Sequence, residues 1–136
     1  MLIESTQALY KACPILYRGR ELPLSKNLMA LGVSCSDGWS ELLMKYSVKL
    51  ETHLRALLDA GVPLETLPMA VQVKEDKGTL RVYLSAYDEV CDAVVREIAF
   101  HSESVCEVCG SAGKLVAESK RTLCRRHATI GRRTRG

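Results

Sequence analysis

The sequence predicts an α+β fold, in which two main helices and an antiparallel β-hairpin form a body and a small cysteine-rich knuckle follows it. Three observations carry this prediction. Apolar residues recur at helical spacing from Trp39 to Leu58 and again from Val90 to Ile98. Two alternating stretches, 69–74 and 79–84, flank the turn-forming run Glu75-Asp76-Lys77-Gly78. Near the C-terminus, Cys106, Cys109, Cys124 and His127 form C-x2-C, a fourteen-residue gap and C-x2-H.

Residues 3–13 read as a short helix with Leu2, Ala8, Leu9 and Ala12 on a rough apolar face, and Pro14 stops it. Residues 14–36 keep no steady period. Gly19, Pro23, Ser25 and Asn27 mark irregular structure there, with a turn of helix near 26–31. Ser36 or Asp37 is placed to cap the longest helix. Its stripe runs through Trp39, Leu42, Leu43, Tyr46, Leu50, His53, Leu54, Leu57 and Leu58, until Gly61 and Pro63 end it. Trp39 and Tyr46 read as core anchors rather than a base-stacking platform. His53, on or beside the stripe, reads as a packed histidine with no partner at a metal spacing.

In the hairpin, alternation puts Val71, Val73, Leu80, Val82 and Leu84 toward the core and Gln72, Lys74, Arg81 and Tyr83 outside. A connection of three to five residues with Gly78 in the left-handed region fits between them. A second long helix from Asp88 to Ser102 carries Val90, Cys91, Val94, Val95 and Ile98 on its apolar side. The body is thus expected over 1–103, the knuckle over 104–130 and a basic flexible tail over 131–136.

The knuckle has the chemistry of a zinc site. A two-residue spacer lets two side chains on a tight turn reach one metal, and two such pairs close a tetrahedron. Gly110 follows the first pair, where the chain needs a positive φ. Lys114–Ala117 and Lys120–Leu123 suit a small hairpin, and Cys124 then opens a short helix that carries His127 on the same turn. Knuckle, hairpin and helix in that order make a treble-clef-like arrangement. The second pair, C-x2-H rather than H-x3–5-H, argues against a ββα finger. Four protein ligands point to structural Zn2+, since catalytic zinc keeps a position open. Six cysteines also suit three disulfides, but Met1-Leu2-Ile3-Glu4 shows no basic stretch, apolar run or cleavage site of a secretory signal. Cys13, Cys35 and Cys91 have no paired spacing; Cys13 and Cys91 read as small buried hydrophobes. The cytoplasm is the expected compartment, and no run approaches the ~20 apolar residues of a membrane span.

Charge is uneven. From Lys114 onward there are eight Lys or Arg and one acid, a surplus of seven positive charges, while the first 113 residues carry 11 bases against 15 acids. Such asymmetry marks an interaction segment or a merely solvated end. Arg121, Arg125 and Arg126 lie in or beside the knuckle and Arg132 and Arg133 beyond it, and all five are candidates for contact with a partner.

Enzyme chemistry finds little support. His101-Ser102-Glu103 stands too close to Cys106-Glu107-Val108-Cys109 to build a deaminase centre, whose two halves come from separate helices. The insert from Gly110 to Leu123 has no His, Asp or Asn with which to bind the second metal of a nuclease. Zinc ligation also competes with any redox role for the Cys106–Cys109 pair.

Four stretches carry a resemblance: Leu22-Pro23-Leu24-Ser25; Asp37-Gly38-Trp39 with its helix; Val71-Gln72-Val73-Lys74-Glu75 with Gly78-Thr79-Leu80-Arg81-Val82-Tyr83; and Cys106-Glu107-Val108-Cys109-Gly110 with Leu123-Cys124-Arg125-Arg126-His127-Ala128. Together they span nearly the whole chain. In these the sequence resembles a family of small uncharacterised proteins of bacteria, prophages and phages. It departs at Lys77, where the family has an aromatic, at Asp76, where it has a base, and at Val82, where it has an aromatic. The resemblance implies a mobile-element setting and no particular activity. The expected function is therefore a non-enzymatic, zinc-stabilised module that docks onto, and inhibits, a protein of bacterial nucleic-acid or defence machinery. Nucleic-acid binding through the basic zinc module is the alternative, and an enzyme of unrecognised type the third.

Overall fold

The structure, a computed structural model, describes residues 1–129. The tail over 131–136, with Arg132 and Arg133, lies outside the described residues. The fold is mixed, as the patterning predicts. Helix α1 spans Ile3–Ala12, α2 Ser40–Asp59 and α3 Glu89–Ser102. Strands β1 (Val33–Ser34), β2 (Ala70–Asp76) and β3 (Thr79–Leu84) form one sheet in the order β1-β2-β3, with β1 parallel to β2 and β2 antiparallel to β3. A second, two-stranded sheet pairs β4 (Lys114–Val116) with β5 (Arg121–Leu123). Helices α2 and α3 lie against each other, and α3 lies on β3.

The 14–36 segment is less irregular than its sequence suggests. Short 3-10 turns occupy Arg18–Glu21 and Leu28–Leu31, and Val33–Ser34 adds an edge strand to the predicted hairpin. Two buried polar groups hold this segment. Asn27 accepts from the Met29 N–H (2.7 Å) and donates to the Ala70 carbonyl (3.1 Å). Glu51, almost wholly buried on α2, accepts from the N–H groups of Ile15 (3.2 Å) and Leu16 (2.8 Å). A charge buried this way is tolerable because backbone donors and the neighbouring Arg55 replace its water.

Helix α2 begins differently from the expectation. Asp37–Trp39 form a 3-10 turn ahead of it, and neither Ser36 nor Asp37 caps it by side chain. Asp37 instead accepts the Leu2 N–H at 3.2 Å, tying the N-terminus to this turn. Trp39, Leu43, Tyr46, Leu50 and Leu54 are buried as the stripe predicts, but Leu58 is exposed past the end of the packed face. On α1 only Leu9 is buried; Leu2, Ala8 and Ala12 are exposed.

The hairpin corrects one side-chain assignment. Ala70 pairs with Leu84 and Gln72 with Tyr83, so Val71 is the extra residue of a bulge. The bulge shifts the alternation by one, and Ala70 joins Val73 inside while Val71 is only half-buried. The connection is tighter than predicted: strand pairing runs to Asp76 and resumes at Thr79. Lys77 and Gly78 make the turn at φ +54° and +86°. On α3, Cys91, Val94 and Ile98 face inward, whereas Val90 is exposed, because a step of one residue rotates it about 100° from Cys91. Cys13 and Cys91 are fully buried, as expected of small apolar residues. Burial pushes the Cys13 thiol up to about 12, with Glu51 adding to it.

Trp39 belongs to the same apolar cluster as Val73 and Leu80 of the hairpin and is completely buried. Replacing it with Ala is expected to cost about 3–5 kcal/mol, measured by denaturant unfolding. An unchanged unfolding midpoint would remove Trp39 from the core.

Candidate metal centre

Residues 105–113 fold back on themselves to make the knuckle. Val105 bridges Ala112, the Cys106 N–H donates to the Ser111 carbonyl (2.7 Å), and the Gly110 N–H donates to the Cys106 carbonyl (2.9 Å). Gly110 has φ +80°, as the turn demands. The β4–β5 hairpin follows, and residues 125–129 are helical, with Cys124 immediately before them. His127, three residues after Cys124, therefore returns to the same side. The order is knuckle, hairpin and helix.

These elements bring all four predicted ligands together, with one donor atom from each lying within 4.8 Å of the others. Cys109 Sγ lies 3.7 Å from Cys124 Sγ. His127 Nδ1 lies 3.6 Å from Cys106 Sγ and 3.1 Å from Cys124 Sγ. Cys106 and Cys124 are buried, His127 is half-buried and Cys109 is exposed. Leu123, Val116 and Ala128 pack around the buried pair. The Ser111 hydroxyl, 3.3 Å from Cys109 Sγ, and the Ser111 N–H draw that thiol down to about 6, and the neighbouring Cys106 and Cys124 help. A cluster of this kind can hold a metal ion. All six cysteines are free thiols.

The cluster is fastened to the body at two places. The Gly38 N–H donates to the Glu107 carbonyl (2.9 Å), and Trp39 Nε1 donates to the Val105 carbonyl (2.8 Å). On the other side, Thr122 Oγ1 donates to the Gly78 carbonyl at the hairpin turn (2.6 Å). Sequence reasoning missed this seam. Its one visible signal is Asp37-Gly38-Trp39, a compact polar-glycine-aromatic run far in sequence from Cys106, Cys109 and Cys124.

Among the arginines proposed for partner contact, the structure separates two kinds. Arg125 and Arg126 are exposed on the helix between Cys124 and His127. Arg121 is half-buried, and its Nε donates to the carboxylate of buried Glu107, the residue after the first ligand. Arg121 thus has an internal task in the knuckle. A second cluster of potential ligands, His53 with Asp88 and Cys91, joins α2 to α3.

No family model, curated protein or solved structure matches the chain. No helix among the described residues is long and apolar enough to cross a membrane.

Gly38 is required by contact rather than by φ. A Cβ there would stand 2.3 Å from the Cys106 carbonyl oxygen and 2.5 Å from the Glu107 carbonyl carbon and oxygen. All are backbone atoms that no side-chain rotation can clear. Gly38→Ala is expected to cost about 1–3 kcal/mol, in the range of overpacked cores, and to weaken metal retention. Thermal unfolding together with a competitive chelator titration measures both; unchanged values in both would dismiss the seam.

Proposed function

We propose that Cys106, Cys109, Cys124 and His127 bind one zinc ion as a structural element, and that the protein is a non-enzymatic binding module built around it. The observation that carries this reading is the spacing of the donor atoms. Zn–S near 2.3 Å and Zn–N near 2.0–2.1 Å set tetrahedral edges of about 3.8 Å between sulfurs and about 3.6 Å between sulfur and nitrogen. The distances of 3.7 and 3.6 Å fit those edges, and 3.1 Å is somewhat tighter. Three thiolates and an imidazole suit zinc and are poor ligands for magnesium or calcium. Four protein donors leave no position for substrate, which favours a structural role.

Zinc would fix the helix that carries Arg125 and Arg126, because the ligands Cys124 and His127 flank them in sequence. Two exposed guanidinium groups on a braced helix present planar forks to carboxylates or phosphates. Our reading is that they dock on an acidic surface of a protein belonging to bacterial nucleic-acid or defence machinery, and that the protein acts by occupying that surface. The mobile-element setting and the inhibitory role rest on the family resemblance alone. The bacterial cytoplasm is the compartment that this reading requires. Nucleic acid remains the second reading, because the same two arginines suit phosphate. It is ranked lower because residues 114–136 contain no Phe, Tyr or Trp on which a base could stack.

Two measurements test this. Protein passed over a mild chelator should retain one zinc per chain, and Cys106→Ala should lose it. Structural zinc in small fingers contributes on the order of 10–16 kcal/mol, so the segment beyond about residue 104 should unfold without the ion. The seam then extends the effect to the 37–39 turn. Protease protection beyond about residue 104 that is unchanged in Cys106→Ala would refute the structural role. Secondly, binding of generic DNA and RNA should be weak, sequence-independent and lost at moderate salt, and weaker still in Arg125→Glu/Arg126→Glu. Tight, salt-resistant and sequence-selective binding would make nucleic acid the partner.

A further inference from the structure

His53 has no neighbour in sequence at a ligand spacing, but packing supplies two from another helix. Because α2 and α3 lie together, the His53 imidazole meets the first turn of α3. Its Nε2 is 2.6 Å from Asp88 Oδ2. Asp88 is the N-cap of α3, and its Oδ1 accepts the Cys91 N–H at 2.8 Å. The Cys91 sulfur completes the group: a ring nitrogen, a carboxylate oxygen and a thiol all lie within 4.8 Å of one another. Cys91 is fully buried, while the His53 and Asp88 side chains are 20% and 40% exposed. The cluster therefore has a buried floor and a side open to water.

We propose that His53, Asp88 and Cys91 form a second metal site, for a zinc-type divalent cation, distinct from the Cys3His centre. One thiolate, one imidazole and one carboxylate make a mixed donor set that suits zinc, whereas magnesium and calcium prefer oxygen throughout. Three protein ligands of a tetrahedron leave the fourth corner to water or to an exchangeable ligand, on the exposed side of the group. The two sites thus differ in kind, one closed by four protein donors and the other open.

The imidazole–carboxylate separation needs only a small adjustment. Bond lengths near 2.0–2.1 Å to nitrogen and 2.0–2.2 Å to oxygen place those two atoms about 3.4 Å apart. The imidazole and carboxylate now share a hydrogen bond, and opening it to admit the ion moves two partly exposed side chains by less than an ångström. Binding releases the Cys91 thiol proton to solvent, and the imidazole proton moves from Nε2 to Nδ1, which leaves Nε2 free as the ligand atom. The same three residue types suit a nucleophile with its base, but a fully buried sulfur cannot reach an external substrate. Metal ligation uses the thiol where it stands.

The test is a metal titration of the full chain with its first zinc already bound. Wild type should take up a second equivalent of Zn2+. Co2+ added in its place should give the charge-transfer absorption of a single thiolate. Asp88→Asn keeps a good N-cap while losing the charged ligand, and His53→Gln alters a partly exposed side chain, so both variants should fold. Each should bind only the first equivalent and show no second cobalt signal, and Cys91→Ala should match them. Wild type saturating at one metal per chain would overturn the proposal. So would full retention of the second equivalent by both Asp88→Asn and His53→Gln.

Discussion

The hydrogen bond from Trp39 Nε1 to the Val105 carbonyl joins the two halves of this protein. An indole N–H buried in an apolar core without an acceptor costs about 1–3 kcal/mol. Here the acceptor belongs to the residue just before Cys106, the first candidate ligand, and the adjacent Gly38 N–H takes the Glu107 carbonyl just after it. The backbone around Cys106 is therefore held from the body side by Trp39 and Gly38, and from the other side by the ligand cluster. The largest core side chain reaches full burial with its polar atom satisfied only while the knuckle stays in place.

Buried carboxylates mark the same division of labour. Glu51 organises the turn after α1 by accepting two backbone N–H groups, and Arg55 lies one helical turn beyond it. Glu107 sits in the knuckle with Arg121 as its cation. Leaving either charge without its partners would be far more costly than the net worth of the pair. Arg121 is thus better understood as the counter-ion that allows Glu107 to be buried than as part of the surface formed by Arg125 and Arg126.

What the sequence made legible was local. The four ligands are recognisable because C-x2-C and C-x2-H are constraints within a single turn, and α2 is recognisable because its stripe persists over five turns. The strand Val33–Ser34 is too short to show alternation and exists because β2 offers it an edge. Val71 reads as a core residue until the bulge shifts the phase, and a bulge has no signature in apolar alternation. In sequence His53 has no partner at a metal spacing, because Asp88 lies 35 residues away and is brought near by helix packing. The Gly38 contact was likewise invisible. A glycine held by the backbone of a segment some seventy residues later looks, in sequence, like any glycine before a helix.

The seam also fixes when the protein can become complete. Trp39 leaves the ribosome well before its acceptor at Val105, and the last cysteine ligand, Cys124, follows Trp39 by 85 residues. At ~5–20 residues per second, that interval is roughly 4–17 s. Until Val105 is made, 66 residues after Trp39, the first helices and the hairpin exist as a nascent chain whose central tryptophan has no native partner for its N–H. Native closure therefore waits for the synthesis of residues 105–124. A message truncated before Val105 would yield a body with its central seam unfastened, a ready substrate for cellular quality control.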